Sequence, residues 1–207
     1  MLNPAMGFAH DWNPHFSIYP AAQMYVQHFA LLLYARAHGQ HDDFREFYQG
    51  DNYPTAHLVA RGASATLGAA TVPAIYYAAA PVFGAPAGLA AAAIVTFSSM
   101  HVLNSKFATT DVGAVFWLTL AIAMILRIAH YGRYRDYVLA AVFAGIATAT
   151  KYPAGAIVFG IAAAHLGYCR RTGGLARAFV DPRIYLAGVI TFLAFFFGTP
   201  YTLLDWS

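Results

Sequence analysis

Hydrophobic and polar positions follow one another along this chain in long blocks. From Gly62 to Ser105 there is no Asp, Glu, Lys or Arg. As one helix that run would reach about 66 Å, roughly twice the ~30 Å hydrocarbon core of a bilayer. It must fold back, and Val82-Phe83-Gly84-Ala85-Pro86 supplies the turn, because Gly and Pro break helices. Spans are therefore predicted at about 57–82 and 87–104. Charge-free stretches recur at 112–126, 137–150, 152–168 and 184–204. The middle two are short and share Lys151-Tyr152-Pro153-Ala154-Gly155, which predicts a helical hairpin turning at the membrane edge. Ala141, Gly145 and Ala149 have the four-residue spacing that lets membrane helices approach closely.

The first 56 residues differ in character. The 21–36 segment reads as a helix, but Gln23, Gln27 and His28 interrupt its apolar run. A helix lying in the interface suits it better than a span. The polar, aromatic 38–54 segment reads as an external loop. The expected architecture is an all-α polytopic bundle of about five spans plus an N-terminal interfacial helix. It forms a single membrane domain over 1–207, with 1–56 external and 57–204 in the bundle.

Composition supports this reading. Hydrophobic residues make up 59% and charged residues 10%, against roughly 25% charged in a soluble domain. One cysteine, Cys169, excludes a disulfide scaffold, and a net charge of +3 with scattered basic residues argues against nucleic-acid binding. The start lacks the basic and apolar regions of a cleavable signal peptide. Arg127, Arg133 and Arg135 fall in one short loop region, and Arg170, Arg171, Arg177 and Arg183 in another. By the positive-inside rule these loops are cytoplasmic. That puts the first 56 residues, 101–111, Lys151 and the Pro200–Asp205 tail on the outer face.

Ionisable groups near membrane depth are costly, so they are candidates for function. The 101–112 stretch gathers Asn104, Lys106, Thr109, Thr110 and Asp111 where one apolar segment ends and the next begins. Asp111 is either an N-cap or a rim carboxylate that holds a cation or positions a polar substrate. Lys151 either snorkels to the interface or contacts a lipid phosphate. Arg61 stands inside an apolar span, and Asn13–Pro20, with His15 and Tyr19, forms a proline- and aromatic-rich loop. Cys169 beside Arg170-Arg171 reads as an interfacial cysteine open to acylation, with a plain interfacial thiol the simpler reading. Histidines such as His38 and His41 form no metal-binding pattern, and phosphate-loop, GxSxG and GxGxxG motifs are absent.

Taken in order, these places form a series. It runs Asn13-Pro14-His15-Phe16-x-Ile18-Tyr19-Pro20, Ala60-Arg61, Ser105-Lys106-Phe107-Ala108-Thr109-Thr110-Asp111-Val112, Ala147-x-Ala149-Thr150-Lys151-Tyr152 and Gly198-Thr199-Pro200-Tyr201-x-Leu203-Leu204-Asp205. The series resembles the N-terminal half of the GT-C membrane glycosyltransferases, nearest to the protein O-mannosyltransferases and the lipid A aminoarabinose transferase. The resemblance implies transfer of a sugar from a polyprenyl phosphate to a lipid, glycan or protein acceptor. It also implies a bacterial or archaeal plasma membrane with the active side facing outward.

Carried over by position, Asp111 resembles the acidic residue of the family's second external loop and is the catalytic candidate. Lys106 and Lys151, with Tyr152, would face the lipid phosphate, Arg61 would open its span, and His15 to Tyr19 would end the first external loop. No cofactor is named; Asp111 is the candidate ligand if a divalent cation takes part. The family's first transmembrane helix and its following Asp or Asp-Glu have no counterpart here, which predicts a chain shortened at both ends. The alternative is a non-catalytic membrane subunit or a transporter segment, which would carry broken helices and mid-membrane polar groups.

Overall fold

The computed structural model describes residues 13, 20–39 and 53–204, and no strand occurs among them. Helix α1 runs from Ala22 to Ala37. Helix α2 spans Tyr53–Phe83 and carries Pro73 and Pro81 inside it. It ends at Gly84, whose φ of +88° suits glycine alone, and α3 (Ala85–Phe97) turns back from there.

The expected continuous 87–104 span is broken. α3 stops at Ser98, whose hydroxyl caps α4 (Ser99–Ser105) by accepting from the His101 N–H at 3.4 Å. The two helices meet at 59°. The bend has a tertiary cause as well as a cap: His101 Nε2 donates to the Gly68 carbonyl at 3.0 Å.

Next come α5 (Thr110–Tyr131) and α6 (Tyr134–Thr150), separated by Gly132 in the left-handed region at φ +58°. A 3-10 turn over Tyr152–Ala156 makes the predicted hairpin and leads into α7 (Ile157–Thr172). α8 (Leu175–Val180), α9 (Pro182–Gly198) and α10 (Tyr201–Leu204) complete the described chain.

Three stretches are long and apolar enough to cross a membrane, Tyr53–Phe83, Thr110–Tyr131 and Tyr152–Thr172, with a fourth if the bent α3–α4 pair counts as one. The expected number was about five. The difference lies in α6 and α9, each 17 residues, short of the ~20 a full crossing needs; α6 also begins with Arg135 and Asp136.

The bundle centres on α6, packed between α5 and α9. Its core is Ile128, Tyr137, Ala140, Ala141, Ala144, Ile161, Ala164 and Ala187. Small residues dominate because membrane helices gain from close approach more than from bulk. A Cβ on Gly145 would meet Ala194 Cβ and the Thr191 carbonyl at 2.5 Å, and one on Gly198 would meet Ala149 Cβ at 2.6 Å. The Ala141–Gly145–Ala149 spacing is therefore a helix–helix seam. Large apolar side chains face outward instead: Phe97, Phe159 and Phe197 are 85%, 75% and 75% exposed. Water would not tolerate such a surface, and a bilayer requires it.

The arginine-rich end is tied by buried charge. Arg127 pairs with Asp136 at 2.9 Å. Asp181 caps α9 by accepting from the Arg183 N–H at 3.1 Å, and it also accepts from Arg183 Nε at 2.8 Å. Arg183 donates to the Gly132 carbonyl and lies against the rings of Tyr134, Tyr137 and Tyr168. The Tyr137 hydroxyl bonds His165 Nδ1 at 2.6 Å, and His165 Nε2 bonds the Ala178 carbonyl at 3.1 Å. This corrects one reading of Cys169: it is fully buried, its Sγ 3.6 Å from His165 Nε2, and is not open to acylation.

Candidate active site at the Lys151 end of the bundle

The opposite end collects the candidate residues from several elements. α5 begins after Thr109, which has extended backbone but makes no side-chain cap. Asp111 is thus not the N-cap; it sits in the first turn of α5, where exposed N–H groups and the helix dipole favour a carboxylate. Lys151 terminates α6 in an extended conformation, its N–H bonded to the Ala147 carbonyl at 2.9 Å. Its carbonyl accepts from the Ala154 N–H, which starts the 3-10 turn. This geometry carries the Lys151 ammonium to Asp111 Oδ1, forming an ion pair across 40 residues of chain. Both side chains stay partly open, at 36% and 43% exposure, so the pair is available to a ligand.

Arg61 and Lys106 form a second contact at this end. Arg61 Nε donates to the Lys106 backbone carbonyl at 2.6 Å, and both residues are exposed. Lys106 ends α4, only five residues before Asp111, so the connection is short. The candidates therefore form two pairs and not one cluster of cations. Asn104 turns inward on its own helix and bonds the Met100 carbonyl at 2.8 Å, which leaves it no evident role.

The Gly198–Tyr201 motif has a structural part. Buried Thr199 accepts from the Ala21 N–H at 3.2 Å and bonds Thr202 at 2.7 Å; Thr202 in turn bonds the Tyr152 hydroxyl at 3.2 Å. This chain fastens the start of α1 beside the Lys151 turn. As a result Gln23 reaches α5, where a Cβ on Gly113 would run into its Oε1 and into the Thr150 methyl. Sequence reading took Gln23 and Gln27 only as interruptions of an apolar helix. Their spacing of four residues, on one face, was the signal of a buried polar seam. His15 and Tyr19 lie outside the described residues.

An apolar cavity of about 490 Å³ runs down the bundle from this end. Thr148 and Gly155, flanking Lys151, line its head, and Ile161, Ala187, Phe192 and Phe195 line its length.

The family model described as dolichyl-phosphate-mannose-protein mannosyltransferase matches residues 55–199, well over half of the chain. The chain belongs to this family. No curated protein and no solved structure matches it. As a member of the mannosyltransferase family it is an integral membrane glycosyltransferase of the GT-C type. The match takes in Arg61, Lys106, Asp111, Lys151, Tyr152 and Thr199, whereas α1 with Gln23 precedes it.

Among the described residues, the candidate site offers a metal one carboxylate. Asp111 is a single carboxylate already facing an ammonium, and no group of three His, Cys, Asp or Glu side chains suited to a metal occurs among the described residues.

Proposed function

We propose that the chain transfers a sugar from a polyprenyl-phosphate donor to a hydroxyl acceptor at the membrane face carrying Lys151 and Asp111. The observation that carries this reading is the partly open Lys151–Asp111 pair, formed at a turn whose Gly155 lines one end of an apolar cavity. A polyprenyl-phosphate sugar has the same layout: an apolar tail, an anionic head and a polar group beyond it.

Breaking the bond between the sugar's anomeric carbon and the phosphate oxygen leaves the electron pair on the phosphate and positive charge on the sugar. A fixed cation stabilises that leaving group. An ammonium has three donors, and one goes to Asp111, so Lys151 keeps two for phosphate. The acceptor oxygen forms the new bond to the anomeric carbon and loses its proton to a carboxylate. Asp111 Oδ2 stands beside Lys151 to orient the acceptor or take that proton. Arg61 and Lys106 add positive charge at the same rim and draw the anionic head toward it.

We infer that this face is the outer one, because seven arginines gather at the other end, and the resemblance favours a bacterial or archaeal plasma membrane. The acceptor is a lipid, glycan or protein hydroxyl. The test is reconstitution in proteoliposomes with dolichyl-phosphate mannose and an added hydroxyl-bearing lipid or peptide, reading release of dolichyl phosphate as the mannosyl group passes to the acceptor or, more slowly, to water. Release above that of protein-free vesicles is expected. Release no faster than in protein-free vesicles would contradict the reading.

A further inference from the structure

Among the described residues, eight buried side-chain nitrogen and oxygen atoms have no hydrogen-bond partner. One is Asp136 Oδ2, at the arginine end; the other seven belong to Gln23, Gln27, Ser64, Thr109 and Thr110. Thr109 and Thr110 open α5, and the other three lie on α1 and α2, the helices that meet its start at Gly113 and Val112. Gln23 abuts Gly113, two residues along the chain from Asp111, and Thr150, which precedes Lys151, lies against the same glycine. Ser64 is one turn before Gly68, the site on α2 that meets Val112. Gln27 follows Gln23 by one turn on the same face of α1.

Gln23 and Gln27 are 1% and 0% exposed, yet none of their four amide atoms is paired. Each such unpaired group is destabilising relative to an apolar side chain of similar shape. Two whole amides are thus buried unpaired on α1, with Gln23 against the start of α5, the helix that carries Asp111. Gly113 is part of the arrangement, since any larger residue would push the Gln23 amide away.

We propose that Gln23, Gln27 and Thr110 form a neutral polar recess that reads the hydroxyl groups of the donor sugar while Lys151 holds its phosphate. The inference rests on the lipid-linked donor reading and adds the residues that recognise the sugar. The chemistry selects a sugar over a bare phosphate. An amide presents both donors and an acceptor, and a hydroxyl answers both, whereas a phosphate dianion accepts only and would leave each Oε1 unpaired. A recess built to bond a substrate hydroxyl strongly disfavours the analogue that lacks it.

Gln23→Met and Gln27→Met keep the length of the side chain and remove its polar atoms. The full chain in nanodiscs is titrated with dolichyl-phosphate mannose and separately with dolichyl phosphate. The wild type is expected to prefer the mannosyl lipid by about tenfold or more, the scale of one or two hydrogen bonds. In each variant the ratio falls to about threefold or less, with dolichyl phosphate affinity unchanged and the melting temperature of the free protein equal or higher. If Gln23→Met does not fold, Gln27→Met carries the same comparison. A variant that keeps the wild-type ratio overturns the recess, as does a wild type with no preference, which would leave buried water as the occupant. Wild-type protein that binds neither lipid overturns the donor reading and the recess together.

Discussion

Asp111 and Lys151 were legible one at a time, because a charged side chain at the edge of a long apolar run is costly enough to need a reason. Their pairing was not legible, since it depends on how α5 and α6 lie side by side and no local spacing encodes a contact across 40 residues. Removing the ammonium leaves Asp111 without its partner and the phosphate without a cation. Lys151→Ala should therefore weaken dolichyl phosphate binding by tenfold or more, from the loss of a charge-assisted bond of roughly 1.5–3 kcal/mol. Titration in nanodiscs checks it, and Lys151→Arg should recover part of the loss. At the far end Arg183 hydrogen-bonds Asp181 and holds its carboxyl down at about 2, from an ordinary 3.8. A depressed carboxyl contributes stability above its unfolded value and loses it as the pH falls through the folded one. Asp181→Ala should lower stability by about 3 kcal/mol near neutrality, as expected for a broken buried pair. The gap from wild type should be full above pH 4 and close toward pH 2 in thermal unfolding scans in detergent.

At the level of elements, breaks signalled by Gly or Pro were readable and breaks imposed by packing were not. The turn at Gly84 and the hairpin at Lys151–Gly155 stood out in the sequence. The bend at Ser98 did not, because serine is a weak signal and the His101–Gly68 contact joins residues 33 apart. The seam of α6 against α9 was foreshadowed by its spacing alone, which an alanine-rich chain also produces by chance. Gly145 now has a defined role, since any Cβ there meets backbone and side chain of α9. Gly145→Leu should destabilise the bundle by about 1–3 kcal/mol or more from overpacking, read as a lower melting temperature in detergent. Gly167, which has open space around it, should accept the same change with little effect.

On the scale of the whole molecule, the division between an arginine end and a Lys151 end was readable from charge bookkeeping, and the fold sorts the same residues to opposite ends of α5 and α6. What charge counting missed is that each end is also sorted by satisfaction. The arginine end closes its buried polar groups into one network around Tyr137, His165, Asp181 and Arg183, with a single carboxylate oxygen left over. Toward the Lys151 end seven atoms stay open among the described residues. An end that is tied and an end that is unfinished suit an anchor and a substrate site. Cysteines introduced at Lys106 and Arg135 should react with a membrane-impermeant maleimide from opposite sides of the bilayer, while native Cys169, being buried, stays unlabelled.

The most direct test of the account is turnover of dolichyl-phosphate mannose by the reconstituted chain, compared with its Asp111→Asn variant. The account predicts that the variant still binds the donor within about threefold but releases dolichyl phosphate at least 100-fold more slowly, the loss typical of a positioned acid–base group. An Asp111→Asn protein that turns over at the wild-type rate would contradict it.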